Sequence, residues 1–251
     1  QRNVFAMKRI LLPVVIASMC FGCSARDNSS VPTSTETQTD VSTSNENESV
    51  TATPVKFRAD VWADNWFALY VNGEKVGEDS VPITTERSFN SERITFEATY
   101  PLTIAVVVKD YVEDASGLEY IGTDRQQIGD GGFIAQIIDL GSDSTVAVTD
   151  GSWKSLVIQS APLNPECAAS VDPANECRSR EDAIPVGWEA AQFDDGSWVA
   201  ATEFDASEVG PKDGYNDIKW DSAGRFIWGA DLKADNVVLL RLGGVQASPK
   251  L

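Results

Sequence analysis

From residue 55 onward the chain alternates apolar and polar positions with a period of two, the mark of strands packed on at least one face. The clearest stretch is 61–78, VWADNWFALYVNGEKVGE. There Phe67, Leu69 and Val71 alternate with Trp66, Ala68 and Tyr70, Asn72-Gly73 follows, and residues 74–78 read as a returning strand. Asn-Gly most readily holds φ > 0 at both central positions of a type I′ turn, so the pattern predicts a β-hairpin. Further strands are predicted at 55–61, 93–98, 133–140, 146–148, 153–159, 225–228 and 236–242. Residues 102–109 (LTIAVVVK) form a near-continuous β-branched run, expected of a strand buried on both faces. Helical periodicity is weak, with short helical turns predicted only near 181–183 and 188–193.

Regular turns rich in Gly, Asp, Ser and Pro point to an all-β antiparallel sandwich or barrel and away from parallel βαβ units. Asp150-Gly151-Ser152-Trp153 and Asp195-Gly196-Ser197-Trp198 repeat one tight polar turn that delivers an indole, and both tryptophans are expected to anchor a strand or crossover on the core. Cys167 and Cys177 flank a loop rich in Pro, Asn and Asp and are expected to pair as a disulfide. Such a bridge is worth about 2–3 kcal/mol in the loop-entropy model. It would staple an insertion at about 160–185 on the sandwich edge.

The N-terminal stretch reads as an export signal. Met7-Lys8-Arg9 is the expected true start, followed by an apolar segment at 10–19 that is too short to span a bilayer. Gly22-Cys23-Ser24 resembles the lipobox of bacterial lipoproteins, in which the cysteine is acylated, although Cys20 stands where that motif usually has Leu. The expected layout is a signal peptide over 1–22, lipidation at Cys23, a Ser/Thr-rich disordered tether over 23–54 and the sandwich over 55–251. This predicts an extracytoplasmic protein, lipid-anchored to the bacterial outer membrane or cell surface.

The 251 residues carry a formal net charge of −18 and no histidine. That charge argues against nucleic acid as a partner. The missing histidine removes the commonest general base and metal ligand, which lowers the weight of enzyme readings. A carboxylate glycosidase remains a lesser alternative; Asp194-Asp195 are adjacent, so on a strand they would point to opposite faces, a poor pair for that chemistry.

In order, ADNWFALYVNGEKVG, LTIAVVVKD, GGFIAQI, TDGSWK and GWEAAQFDDGSWVAA resemble the galactose-binding-domain-like β-sandwich, the jelly-roll module attached to many glycosidases and cell-surface proteins. The resemblance covers most of 55–201. It implies a non-catalytic jelly roll that binds carbohydrate through loops at one end, often with a structural calcium ion. Sugar recognition needs an aromatic platform with polar neighbours. Candidates are Asp64, Asn65, Trp66 and Tyr70 at the hairpin, and Tyr111, Tyr120, Asp124 and Arg125 in the long loop 111–132. The first reading of Asp64 with Trp66 is a turn cap beside a core indole, because a buried Trp mostly serves packing. For calcium, the acidic turns 110–114 and 213–221 supply oxygen ligands, with Asp213, Asn216 and Asp217 as the candidate set and turn capping as their other reading. The second expectation is an acidic interaction module that docks an extracellular protein partner in a surface assembly.

Overall fold

The computed structural model describes residues 53–247. The expected leader, the lipidation site Cys23 and tether residues 24–52 lie outside the described residues. In chain order the strands are β1 (Val55–Asp64), β2 (Trp66–Val71), β3 (Glu74–Glu78), β4 (Asn90–Ala98) and β5 (Leu102–Lys109). Then come β6 (Leu118–Glu119), β7 (Gln127–Ile128), β8 (Gly132–Asp139), β9 (Ser144–Val148) and β10 (Lys154–Ser160). The last are β11 (Arg180–Glu181), β12 (Val199–Ala200), β13 (Thr202–Phe204), β14 (Phe226–Trp228) and β15 (Asp235–Val245). One sheet runs β13-β14-β8-β1-β4 with β9 also on β8; the other runs β11-β10-β15-β5-β2-β3 with β12 also on β10. All strand pairs in the two sheets are antiparallel. The chain is an all-β sandwich, and β6 and β7 form a separate ribbon inside the long loop after β5.

Alternation explains the core. Phe57, Ala59, Val61 and Ala63 of β1 meet Phe67, Leu69 and Val71 of β2 and Ile104, Val106 and Val108 of β5 in one buried cluster between the sheets. The Asn72-Gly73 turn joins β2 to β3 as expected, with φ of 54° and 92°. Asn72 does more than turn the chain. Its Nδ2 donates to Thr99 O at 2.9 Å and its Oδ1 accepts from Thr103 N–H at 2.7 Å, which ties the hairpin to the β4–β5 corner.

Both outer faces are also covered. On the β1–β8 sheet, Trp62, Ile134 and Phe226 are buried beneath Val209, Phe89 and Tyr215. On the other sheet, Ala68, Ala105, Val107, Ile158 and Leu239 are buried beneath Trp188 and Trp198. This accounts for the double-sided apolar run of β5. The cover is pinned by Arg241, a β15 residue only 2% exposed. It donates to the carbonyls of Trp188 and Ala190 and to Asp195 Oδ2 at 3.0 Å, while Lys154 Nζ reaches Asp195 Oδ1 at 3.2 Å. Asp195 therefore lies in a turn and serves as a clamp.

Both Asp-Gly-Ser-Trp turns close with a bond from the Trp N–H to the first Asp carbonyl, Trp153 to Asp150 and Trp198 to Asp195. Trp153 enters the central core and Trp198 the outer cover, so both are anchors. Cys167 and Cys177 form the expected disulfide. The helical turns fall elsewhere than expected. Residues 180–181 pair as β11 with the edge of β10 that β15 leaves open, and 187–193 form successive hydrogen-bonded turns rather than a helix. The α-helical segments are α1 (Pro173–Glu176) and α2 (Ala206–Val209); the latter has an Asp205/Glu208 capping box and a left-handed Gly210 at its end.

Two substitutions check this account. Arg241→Met leaves three acceptors without their buried donor and should cost about 2–4 kcal/mol in urea unfolding. Asn72→Ala removes two hydrogen bonds and places alanine at positive φ, and should cost about 2 kcal/mol in the same measurement.

Candidate functional site

The strands run out together at one end of the sandwich, where β1 and β5 finish and β2, β8 and β15 begin. Asn65 N–H donates to Lys109 O at 2.8 Å, and Asp110 N–H to Asn236 O at 2.9 Å. Trp66, Lys109 and Val237 are in register across three strands. This row is only half-buried, and a groove of about 580 Å³ opens beside it. Lys109, Val237 and Ile158 belong to the sheet beneath it; Tyr111 and Asp182 come from the flanking segments, and Ile83 from the loop after β3. Trp66 adjoins it, half-buried, with Lys109 Nζ 5.1 Å from its ring centre.

A second hollow of about 330 Å³ is lined by Glu86, Phe89, Glu119, Tyr120, Lys212 and Asp213, among others. Tyr120 sits at φ 53°, its ring covered by the Arg125 guanidinium at 4.1 Å.

Acids concentrate along this end. Asp64 is 1% exposed and Asp110 3%; no hydrogen-bond donor reaches either carboxylate oxygen of Asp64, and the Asn236 side chain partners Asp110. Lys212 Nζ stands 3.9 Å from Asp64 and 4.0 Å from Asp130. Burial pushes both Asp64 and Asp110 well above the usual carboxylate range. Asp130 adds to the effect on Asp64 while Lys212 opposes it; Asp64, Glu119 and Asp130 add to the effect on Asp110 while Asn236 opposes it. Glu119 is pushed up to about 7, mainly by burial, against a bond from Gln127 Nε2 at 3.1 Å.

The sequence candidates divide between these places. Tyr111 lines the groove, with Trp66 beside its Lys109; Tyr120 lines the second hollow, with Arg125 over its ring; and Asp124 is exposed in the turn between β6 and β7. Asn65 is fully buried and works as a stitch: its Oδ1 accepts from Tyr111 N–H at 2.6 Å and its Nδ2 donates to Glu86 O at 3.3 Å. Tyr70 lies apart, its ring 5.6 Å from Trp188 under the cover. The Asp213, Asn216 and Asp217 side chains are exposed, whereas the backbone there is engaged: Trp62 Nε1 donates to Asp213 O at 3.0 Å and Arg93 to Asp217 O at 2.6 Å. Among the described residues, no three His, Cys, Asp or Glu side chains are arranged to hold a metal ion.

Sequence reasoning missed Lys109, Gln159, Asp182, Glu119, Lys212 and Asn236. The one signal available was Asp110, a carboxylate ending a strand of unbroken β-branched residues. No family model matches the chain, and neither the curated proteins nor the solved structures gave a match.

The loop after β3 borders both hollows and begins at Asp79, which is 5% exposed. Its Oδ1 accepts from Val81 N–H at 2.8 Å, and Oδ2 has no partner. Burial pushes its carboxyl up to about 6; Val81 opposes this and Glu92 adds to it. A carboxyl raised in the folded state favours folding below its unfolded value and loses that contribution as pH rises through 6. Asp79→Asn should therefore stabilise the protein by about 1 kcal/mol at pH 8, and the gain should vanish towards pH 4 in urea unfolding.

Proposed function

We propose that this sandwich is a non-catalytic, galactose-binding-like carbohydrate-binding module of a surface-anchored lipoprotein, with its sugar in the groove lined by Lys109, Tyr111 and Val237. The observation that carries this reading is the groove itself, a hollow of about 580 Å³ at the loop end lined by Tyr111, Lys109, Gln159 and Asp182. An aromatic face takes the C–H surface of a pyranose, and the amide, carboxylate and ammonium groups take its hydroxyls. The site lies on the sheet face at the loop end, so the tyrosine loop contributes one wall and the strands contribute the floor.

The net charge of −18 disfavours polyanionic glycans and selects for neutral ones. The absence of histidine, and the engagement of Asp195 by Arg241 and Lys154, favour binding over turnover.

The test is a glycan array followed by calorimetry on the full chain. A neutral oligosaccharide should bind, and Tyr111→Ala should weaken it about tenfold or more. Tyr120→Ala, in the other hollow, should leave the affinity unchanged. Failure of every neutral glycan to bind at millimolar concentration would remove the reading.

A further inference from the structure

Each sheet ends in strands with one free edge, and β4 is the longest of them. It runs nine residues, against five for β3 and β9, three for β13 and two each for β11 and β12. Its pairing with β1 is continuous from Val55–Ala98 to Ala63–Asn90, with no bulge, and it holds no proline. A long, regular edge of this kind is a template for another strand.

The direction of its backbone groups follows from β1. Lys56 O accepts from Leu140 N–H on the β8 side, and backbone groups alternate sides along a strand. The even-numbered residues of β1 therefore bond β8 and the odd-numbered ones bond β4, so that Phe57, Ala59 and Val61 engage Phe96, Ile94 and Glu92. The N–H and C=O groups of Ser91, Arg93, Thr95 and Glu97 point away from the sheet. Among the described residues, no turn or loop backbone bonds to them. The open stretch is bounded at both ends. Gly214 sits so close that a Cβ there would lie 2.5 Å from Ser91 N, and past Ala98 the chain leaves the sheet at Tyr100-Pro101 to enter β5. Arg93, Thr95 and Glu97 remain, with Thr95 at the centre.

We propose that β4 pairs antiparallel with β4 of a second copy of this chain, centred on Thr95, giving a two-fold symmetric dimer with one sheet continuous across both copies. A two-fold interface must be self-complementary, and this edge is. About Thr95, Arg93 of each copy stands directly opposite Glu97 of the other, and all of these side chains lie on the solvent face. Arg93, Thr95 and Glu97 are the outward-bonding positions, so they exchange backbone hydrogen bonds in pairs across the dimer axis. Ile94 meets Phe96 of the other copy on the inner face, where both already pack on the core. Opposite charges and apolar residues placed directly across from one another both favour strand pairing. The register is specified as well as the surface: centring on Arg93 or on Glu97 would set like charges face to face. Arg93 is free to take part, since its Nη2 donates to Asp217 O while the guanidinium stays exposed and keeps further donors. The net charge of −18 on each chain opposes association at long range, but at physiological salt it is screened beyond about 8 Å. None of these residues lines the groove, so the dimer is independent of any sugar there.

The experiment is sedimentation of the full chain, without carbohydrate, from about 1 to 500 µM at about 0.15 M salt, where a monomer–dimer equilibrium is expected. Thr95→Pro removes an outward-facing N–H and leaves the β1 ladder intact, so it should weaken the dimer about tenfold or more. Glu97→Arg sets arginine against Arg93 and should do the same; it supplies the readout should Thr95→Pro fail to fold. Hydrogen exchange reads the register. The amides of Arg93, Thr95 and Glu97 should slow about tenfold as the dimer fills, whereas those of Ile94 and Phe96, already bonded to β1, should change little. A chain that stays monomeric across this range would overturn the proposal. So would a dimer that both variants leave intact, or one that leaves the three outward amides unprotected.

Discussion

The sheet that contains β5 must hide two faces, and most of the architecture answers to that. Its inner face packs on the opposite sheet through Ile104, Val106 and Val108; its outer face, with Ala105 and Val107, has no third sheet to meet. The chain solves this with the segment from Trp188 to Trp198, laid flat across the strands. A flat cover has few backbone bonds to the sheet below it, so it needs a fixed point. Arg241 supplies one from within the sheet, holding two carbonyls and Asp195 of the cover from beneath. Because the guanidinium is planar and carries several donors in a fixed fork, one side chain can hold three acceptors at once. Beside the cover, Lys109, Ile158 and Val237 of the same sheet line the groove.

The opposite logic governs the strand ends. Inside the sandwich the strands pair in antiparallel ladders, and side chains can be apolar. At the end where β1, β5 and β15 meet, the backbone still pairs, yet the side chains delivered there are Asp64, Asp110 and Asn236. A sequence under pressure for stability alone would place apolar residues at such buried positions, since unpaired buried carboxylates oppose folding. These buried polar side chains stand beside the groove, and local departures from stability of this kind cluster at functional sites in proteins generally.

Much of the scaffold was legible in the sequence for a simple reason: it rests on local periodicity. The hairpin through Asn72-Gly73, the double-sided burial of β5 and the two indole anchors all follow from patterns a few residues long. The helical turns misplaced at 181–183 and 188–193 show where that logic stops. Whether residues 180–181 pair as a strand depends on a free edge of β10, some twenty residues away in sequence and invisible to local pattern. The site was less legible still. Its floor joins Lys109 to Val237, and its wall joins Tyr111 to Asp182, separations that only the sheet order brings together. Asn65 was read as a sugar-binding amide because its sequence neighbours are polar and aromatic; in the fold its partners are the backbones of Tyr111 and Glu86.

Groove and acid cluster are mechanically one unit. Asp110 and Tyr111 are consecutive, so the peptide that buries the carboxylate also sets where the tyrosine ring begins. Asn65, directly after Asp64, accepts the Tyr111 N–H at 2.6 Å and holds the Glu86 carbonyl, on the loop that borders the second hollow. The acids and the aromatic lining of the groove are thus joined by the chain itself and by the Asn65 side chain. An element so short is stiff, and stiffness at an aromatic wall favours binding by reducing the ordering cost of the ligand's partner. The acids that oppose folding are thus placed one residue away from the tyrosine that lines the groove.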